Sequence, residues 1–150
     1  MLVRRVSLCF LLSACLVTPA ALAHNPSAAA AGTLRIAVAG VSDNRGQVCI
    51  ELFTQQETAL FPDRTPLLKQ RIAATAGTVT FVFNHLPSGR YAALVFHDEN
   101  SNGLLDKNWL GIPSEQWGVT GKRPFGRSPR YAESAFSFDS THQQITIHME

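Results

Sequence analysis

The run HDENSNGLLDKNWLGIP at residues 97–113 concentrates oxygen-bearing side chains on Asp98, Asn100, Asn102 and Asp106 around Gly103. A hard cation takes oxygen ligands, and an EF-hand-like loop supplies them from alternate positions, with glycine at the sixth to allow the bend. In that register the ligands are Asp98, Asn100, Asn102, the Leu104 carbonyl and Asp106, and Gly103 falls at the bend. Trp109 stands where the bidentate glutamate is due, so Glu99 or Glu115 must fold back to complete the shell. Two carboxylates without that clamp point to weak calcium binding, on the order of 10⁻⁴–10⁻³ M, and fit magnesium less well. A polar strand connection accounts for the same residues differently: Asx side chains bond to nearby backbone, and glycine supplies positive φ. Both readings stay open.

His97 begins this run and admits three roles: a core-edge histidine bonded to backbone, a partner of Asp98, or an acid/base group. The last defines an alternative function, a small periplasmic hydrolase using His97 with Asp98 or Glu115, which needs those groups within hydrogen-bonding reach. His85, His142 and His148 lie on other segments with no spacing that joins them into a zinc set. No serine sits in a nucleophile elbow. The absence of an assembled catalytic set therefore favours a non-enzymatic module, whose one candidate cofactor is calcium at 98–106 if the ion reading of that loop holds. Trp109 and Trp117, in the same stretch, could meet a protein or carbohydrate partner if exposed, whereas buried they would pack the loop.

These residues need elements to hold them. Leu34, Ile36 and Val38 alternate with Arg35, Ala37 and Ala39; VSDNRG interrupts; and QVCIELF resumes the period of two, which reads as a hairpin. LLKQRIAA, TVTFVF, RYAALVFH, SAFSF and QQITIHM continue the pattern, and Val79, Phe81 and Phe83 face one way. About seven short strands with turn residues between them, and no sustained helical stripe, indicate an all-β antiparallel sandwich of Ig-like or prealbumin-like type. Segments 55–67 and 107–130 are long for connections and are where function or local helix is expected. Ser128-Pro129-Arg130-Tyr131 suits a helical turn with Ser128 as N-cap.

The chain opens with Met1-Leu2-Val3-Arg4-Arg5, the apolar VSLCFLLSACLV and Ala21-Leu22-Ala23, the layout of a secretory signal peptide over 1–23. A leader over 24–32 and one domain over 33–150 follow, and the protein is expected in the periplasm or outside the cell. Leu12-Ser13-Ala14-Cys15 offers a second cleavage reading with a lipid anchor on Cys15. No later stretch reaches the ~20 apolar residues of a membrane span. The formal charge of +2 comes from Arg4 and Arg5, so a near-neutral mature chain gives no footing for nucleic acid. Removing the signal leaves Cys49 alone among three cysteines, which excludes an internal disulfide. Cys49 shares a strand face with Glu51, as a half-buried structural thiol. Lys122, Arg123, Arg127 and Arg130 form a basic cluster, read as a solvated loop or as an anion site.

The runs LPSGRYAALVFHDEN and HDENSNGLLDKNWLGIPSEQWG, with FGRSPRYAESAF near the end, resemble a family of small secreted bacterial proteins that constitutes a domain of unknown function. The resemblance spans about Thr33 to Met149 and places Asp98, Asn100, Asn102, Gly103, Asp106, Asn108, Gly111, Ile112, Pro113, Glu115 and Gly118 on the family pattern. It implies an Ig-like or prealbumin-like sandwich and no assigned activity. The chain departs from that pattern after Gly118, with Val119-Thr120-Gly121-Lys122 where relatives tend to show Phe-Ser-Asn-Asn. LPSGRYAALV is also similar to the last hairpin of carboxypeptidase regulatory-like and collagen-adhesin B-type repeats, which implies packing or presentation rather than catalysis.

Overall fold

A computed structural model describes residues 31–55, 61 and 65–150. The signal peptide expected at 1–23, with Cys15, and residues 24–30 of the leader lie outside the described residues. The chain runs β1 (Ala31–Val41), β2 (Gln47–Thr54), β3 (Leu68–Ala73), β4 (Gly77–Pro87), β5 (Gly89–Asp98), β6 (Trp117–Val119), α1 (Tyr131–Ser134), β7 (Phe136–Phe138) and β8 (His142–His148). Ala31 and Gly32, expected as the end of the leader, already belong to β1.

Two sheets face each other, as the strand pattern requires: β4-β1-β8, and β3-β2-β5-β6 with β7 also paired to β5. Every pair is antiparallel except β1 with β8, which run parallel from Thr33 beside His142 to Ala39 beside His148. The expected β1–β2 hairpin is corrected: residues 42–46 carry the chain from one sheet to the other, and the two strands share no ladder. Alternation identifies the buried face of a strand but not its neighbour. Leu34, Ile36 and Val38 of β1 and Val48, Ile50 and Leu52 of β2 therefore join one core from opposite sides, with Phe81, Phe83 and Val95. Burying each large apolar side chain stabilises the fold by about 1.5–3 kcal/mol.

The sandwich is nearly closed at both seams. Trp117 and Glu150 exchange backbone bonds of 3.4 and 3.3 Å between β6 and the chain just after β8, and at the other seam the Gln70 amide donates to the Val82 carbonyl at 3.1 Å. β5 is central to the larger sheet and buried on both faces from Tyr91 to Asp98. Its outward side chains, Ala92, Leu94 and Phe96, form a second core with Cys49, Phe53, Trp117 and Val119. Phe61 lies edge-on to Phe53 with ring centres 4.8 Å apart, and Leu105 and Tyr131 pack against this layer. Phe61, Leu105 and Tyr131 thus roof the outer face of the sheet. The helical turn starts later than expected, with Arg130 rather than Ser128 before its first turn and no side-chain cap.

Candidate functional site

At the end of β5 the chain leaves the sheet at Asp98, whose side chain is wholly buried. Its carboxylate accepts from the Gln47 amide at 2.7 Å and from the backbone N–H of Asn102 and Gly103 at 2.9 and 2.8 Å. Burial alone pushes this carboxyl up. The bonds from Gln47, Gly103, Asn102 and Ser101 outweigh it and hold the group below its ordinary range. Gly103 bends the loop with φ +79°, as its place in the sequence requires. Gly46, with φ +64°, lies so close beneath the loop that a Cβ would strike the carbonyl oxygens of Asp98 and Glu99.

The two asparagines turn their oxygens toward backbone: Asn100 accepts from Asn102 N–H at 3.0 Å and Asn102 from Leu104 N–H at 2.8 Å. That leaves both amide nitrogens for one carboxylate, and they donate to Asp106 at 2.7 and 3.0 Å. Glu115 does fold back, with its two oxygens accepting from the backbone N–H of Glu99 and Asp106 at 3.1 and 3.0 Å. The spacing thus brought Asp98, Asn100, Asn102, Asp106 and Glu115 into one knot, in which each oxygen-bearing side chain bonds to backbone or amide donors. Leu104, expected to offer its carbonyl, has an exposed side chain. Among the described residues no three of His, Cys, Asp or Glu are grouped to hold a metal ion.

His97 is also wholly buried. Its Nε2–H donates to the Arg45 carbonyl at 2.7 Å, since a carbonyl can only accept, and Nδ1 shares a hydrogen bond with the Ser42 hydroxyl at 3.2 Å. The ring is therefore a buried, backbone-bonded histidine, the first of the three roles open to it. Its nearest carboxylate is Asp43 at 3.7 Å; no hydrogen bond joins it to Asp98 or Glu115. Cys49 is more deeply buried than expected, 3.9 Å from an Asp98 oxygen, and burial followed by that charge pushes its thiol up to about 12.

Beyond the knot, residues 106–115 fold into a narrow excursion within the long connection expected over 107–130. Lys107 pairs with Pro113, and Ser114 N–H donates to the Asp106 carbonyl at 2.9 Å. Asn108 organises the tip, its side-chain oxygen accepting from the N–H of Leu110 and Ile112 at 2.9 and 3.1 Å. The signal for this turn was present as an Asx residue three positions before Gly111, which has φ +75°. The excursion holds Trp109, Leu110 and Ile112 out of the core, with Trp109 90% exposed. Trp117 is buried, and the Arg123 guanidinium lies 4.4 Å over its ring.

Between this excursion and the 123–129 segment lies a groove of about 670 Å³. Leu94, Leu105 and Trp117 form its floor; Leu110, Ile112, Pro113, Pro124 and Phe125 line its sides. Phe125, which sequence reasoning passed over, is fully exposed. The Thr120 hydroxyl donates to the Ser134 carbonyl at 2.7 Å and accepts from Ala93 N–H at 2.9 Å, tying the roof to β5.

A family model described as uncharacterized protein conserved in bacteria (DUF2141) matches residues 36–146. No curated protein and no solved structure matches the chain.

Proposed function

Starting from a chain that belongs to this family of uncharacterized bacterial proteins, we propose that it is an exported, non-enzymatic binding module that takes its ligand on the roofed outer face of the larger sheet. Family membership brings no activity with it, and a sandwich fold hosts many functions, so the reading rests on the site. The observation that carries it is the exposure of Phe125, which lines the groove, and of Trp109, next in the chain to the lining residue Leu110. Large aromatics held out of a core by a tightly hydrogen-bonded turn are what a contact surface uses. Export is supported by the sequence of residues 1–23, and no described helix is long and apolar enough to cross a membrane.

The hydrolase alternative draws less support, since both ring nitrogens of His97 are engaged and its ring is wholly buried. Substituting Trp109 by alanine should leave stability within about 0.5 kcal/mol, as for an exposed side chain with no structural duty. Loss of several kcal/mol in a denaturant melt would make Trp109 a packing residue and remove the support for a contact surface.

Calcium at 98–106 is a second reading, favoured by the convergence of Asp98, Asn100, Asn102 and Asp106 in one knot. For Asp106 to take an ion, the two asparagine amides must turn away from it. Millimolar calcium should then raise the melting temperature in a concentration-dependent way. An unchanged melting temperature, with and without chelator, rejects calcium at those concentrations.

A further inference from the structure

We infer that the groove takes an amphiphile with an acidic head and a hydrocarbon body, a long-chain carboxylate, with Lys107 at the head and Ile112 and Phe125 along the body. This rests on the binding-module reading and specifies its ligand. The groove's volume of about 670 Å³ falls among small-molecule sites, roughly 300–1,000 Å³, rather than extended protein interfaces.

Charge then selects the head. The lining carries three cations, Lys107, Arg123 and Arg127, against one side-chain carboxylate, Glu150. Arg123 is bonded to Glu150 at 3.1 Å and Arg127 to Glu133 at 2.6 Å. Lys107 is exposed and has no ion pair among the described residues, so its ammonium is the cation open to an incoming anion. The lining between these charges is largely apolar and suits methylene chains rather than the hydroxyl-rich faces of a sugar. A carboxylate seated at Lys107 keeps its solvation at the groove mouth while its chain covers side chains that water otherwise wets.

The test uses protein purified after export from an expressing bacterium, titrated with dodecanoate, with octyl glucoside and with dodecyltrimethylammonium, reading tryptophan emission. Dodecanoate should give a saturable blue shift, binding about tenfold more tightly than the ammonium compound. Lys107→Glu should weaken dodecanoate by about tenfold while leaving octyl glucoside unchanged, and Phe125→Ala should weaken both. Both positions are exposed, so the variants keep the fold. Equal binding of anion and cation, or no effect of Lys107→Glu, overturns the carboxylate assignment and leaves the groove as a binding surface. No saturable change with any amphiphile overturns the assignment, while the Trp109→Ala melt still judges the contact surface on its own. Dodecanoate binding that Phe125→Ala leaves untouched places the ligand elsewhere and also overturns it.

Discussion

Asp98 holds the start of the rim by accepting three hydrogen bonds out of water, and removing it strands the donors. Replacement by alanine leaves the Gln47 amide and the Gly103 N–H without their acceptor, while the Asn102 N–H keeps the Asn100 oxygen. With about 1–3 kcal/mol for each buried group left unsatisfied, the variant should lose at least about 2 kcal/mol in denaturant melts. A loss below about 1 kcal/mol would mean that water replaces the carboxylate freely. The depressed pKa fixes a sign as well. Because the folded carboxyl titrates below its unfolded value, its stabilisation is complete above about pH 4 and is lost as pH falls through the folded value. The wild-type acid limb should therefore be steeper than that of Asp98→Asn. Cys49 gives an independent check on the layer beneath the roof. With its thiol pushed up to about 12 by burial, it should react with Ellman's reagent only after unfolding, and rapid modification of the native protein would show the layer to be open. At this scale the sequence told which residues converge, since the spacing of Asp98, Asn100, Asn102 and Asp106 has few other uses. It did not tell what they converge upon: the orientation of an amide depends on backbone N–H groups whose positions exist only after the loop has closed.

The excursion over 106–115 is the element on which the proposed binding depends. Asn108 and Gly111 set its tip and Glu115 pins its base to the start of the loop at Glu99. Contact and packing are divided between its tryptophan and the next one. Trp117→Ala should cost about 3–5 kcal/mol, because it empties the floor of the second core and unseats Arg123. Trp109→Ala should cost almost nothing. A reversed order would locate the packing role in the excursion and undo the division. The sequence showed both tryptophans and could not separate them, since exposure depends on which side of the turn faces the sheet. Phe125 was illegible for a similar reason: one aromatic in a Gly- and Pro-rich run carries no period. The β1–β2 hairpin was misread because VSDNRG has the residues of a tight turn, yet Gly46 is spent on close approach to Asp98 rather than on joining neighbours. Ser128-Pro129 likewise carried a helix-start signal, but the turn forms only where Tyr131 anchors its hydroxyl on the Arg90 carbonyl at 2.7 Å.

For the molecule as a whole, a period of two in nearly every segment made the two-layered architecture readable, since apolar faces on seven or more short strands need a facing layer. The parallel β1–β8 pair and the nearly closed seams were not readable, because pairing is decided by chain crossings rather than by alternation. The larger sheet, covered on both faces, leaves β5 with almost no exposed surface, so its end is a rigid origin for the rim. Such a base should make the rim's geometry insensitive to ligand, and binding should raise the melting temperature through mass action rather than through a change of fold.

The most direct test of the proposed binding surface is a two-dimensional ¹H–¹⁵N NMR titration of the protein with dodecanoate, following both indole N–H signals. Saturable shifts confined to the two indoles and to the amides of 107–113 and 123–127, with the β1, β4 and β8 amides unmoved, are the expected result. Shifts centred on the β4-β1-β8 sheet, or a rim that stays silent while other amides respond, would contradict it.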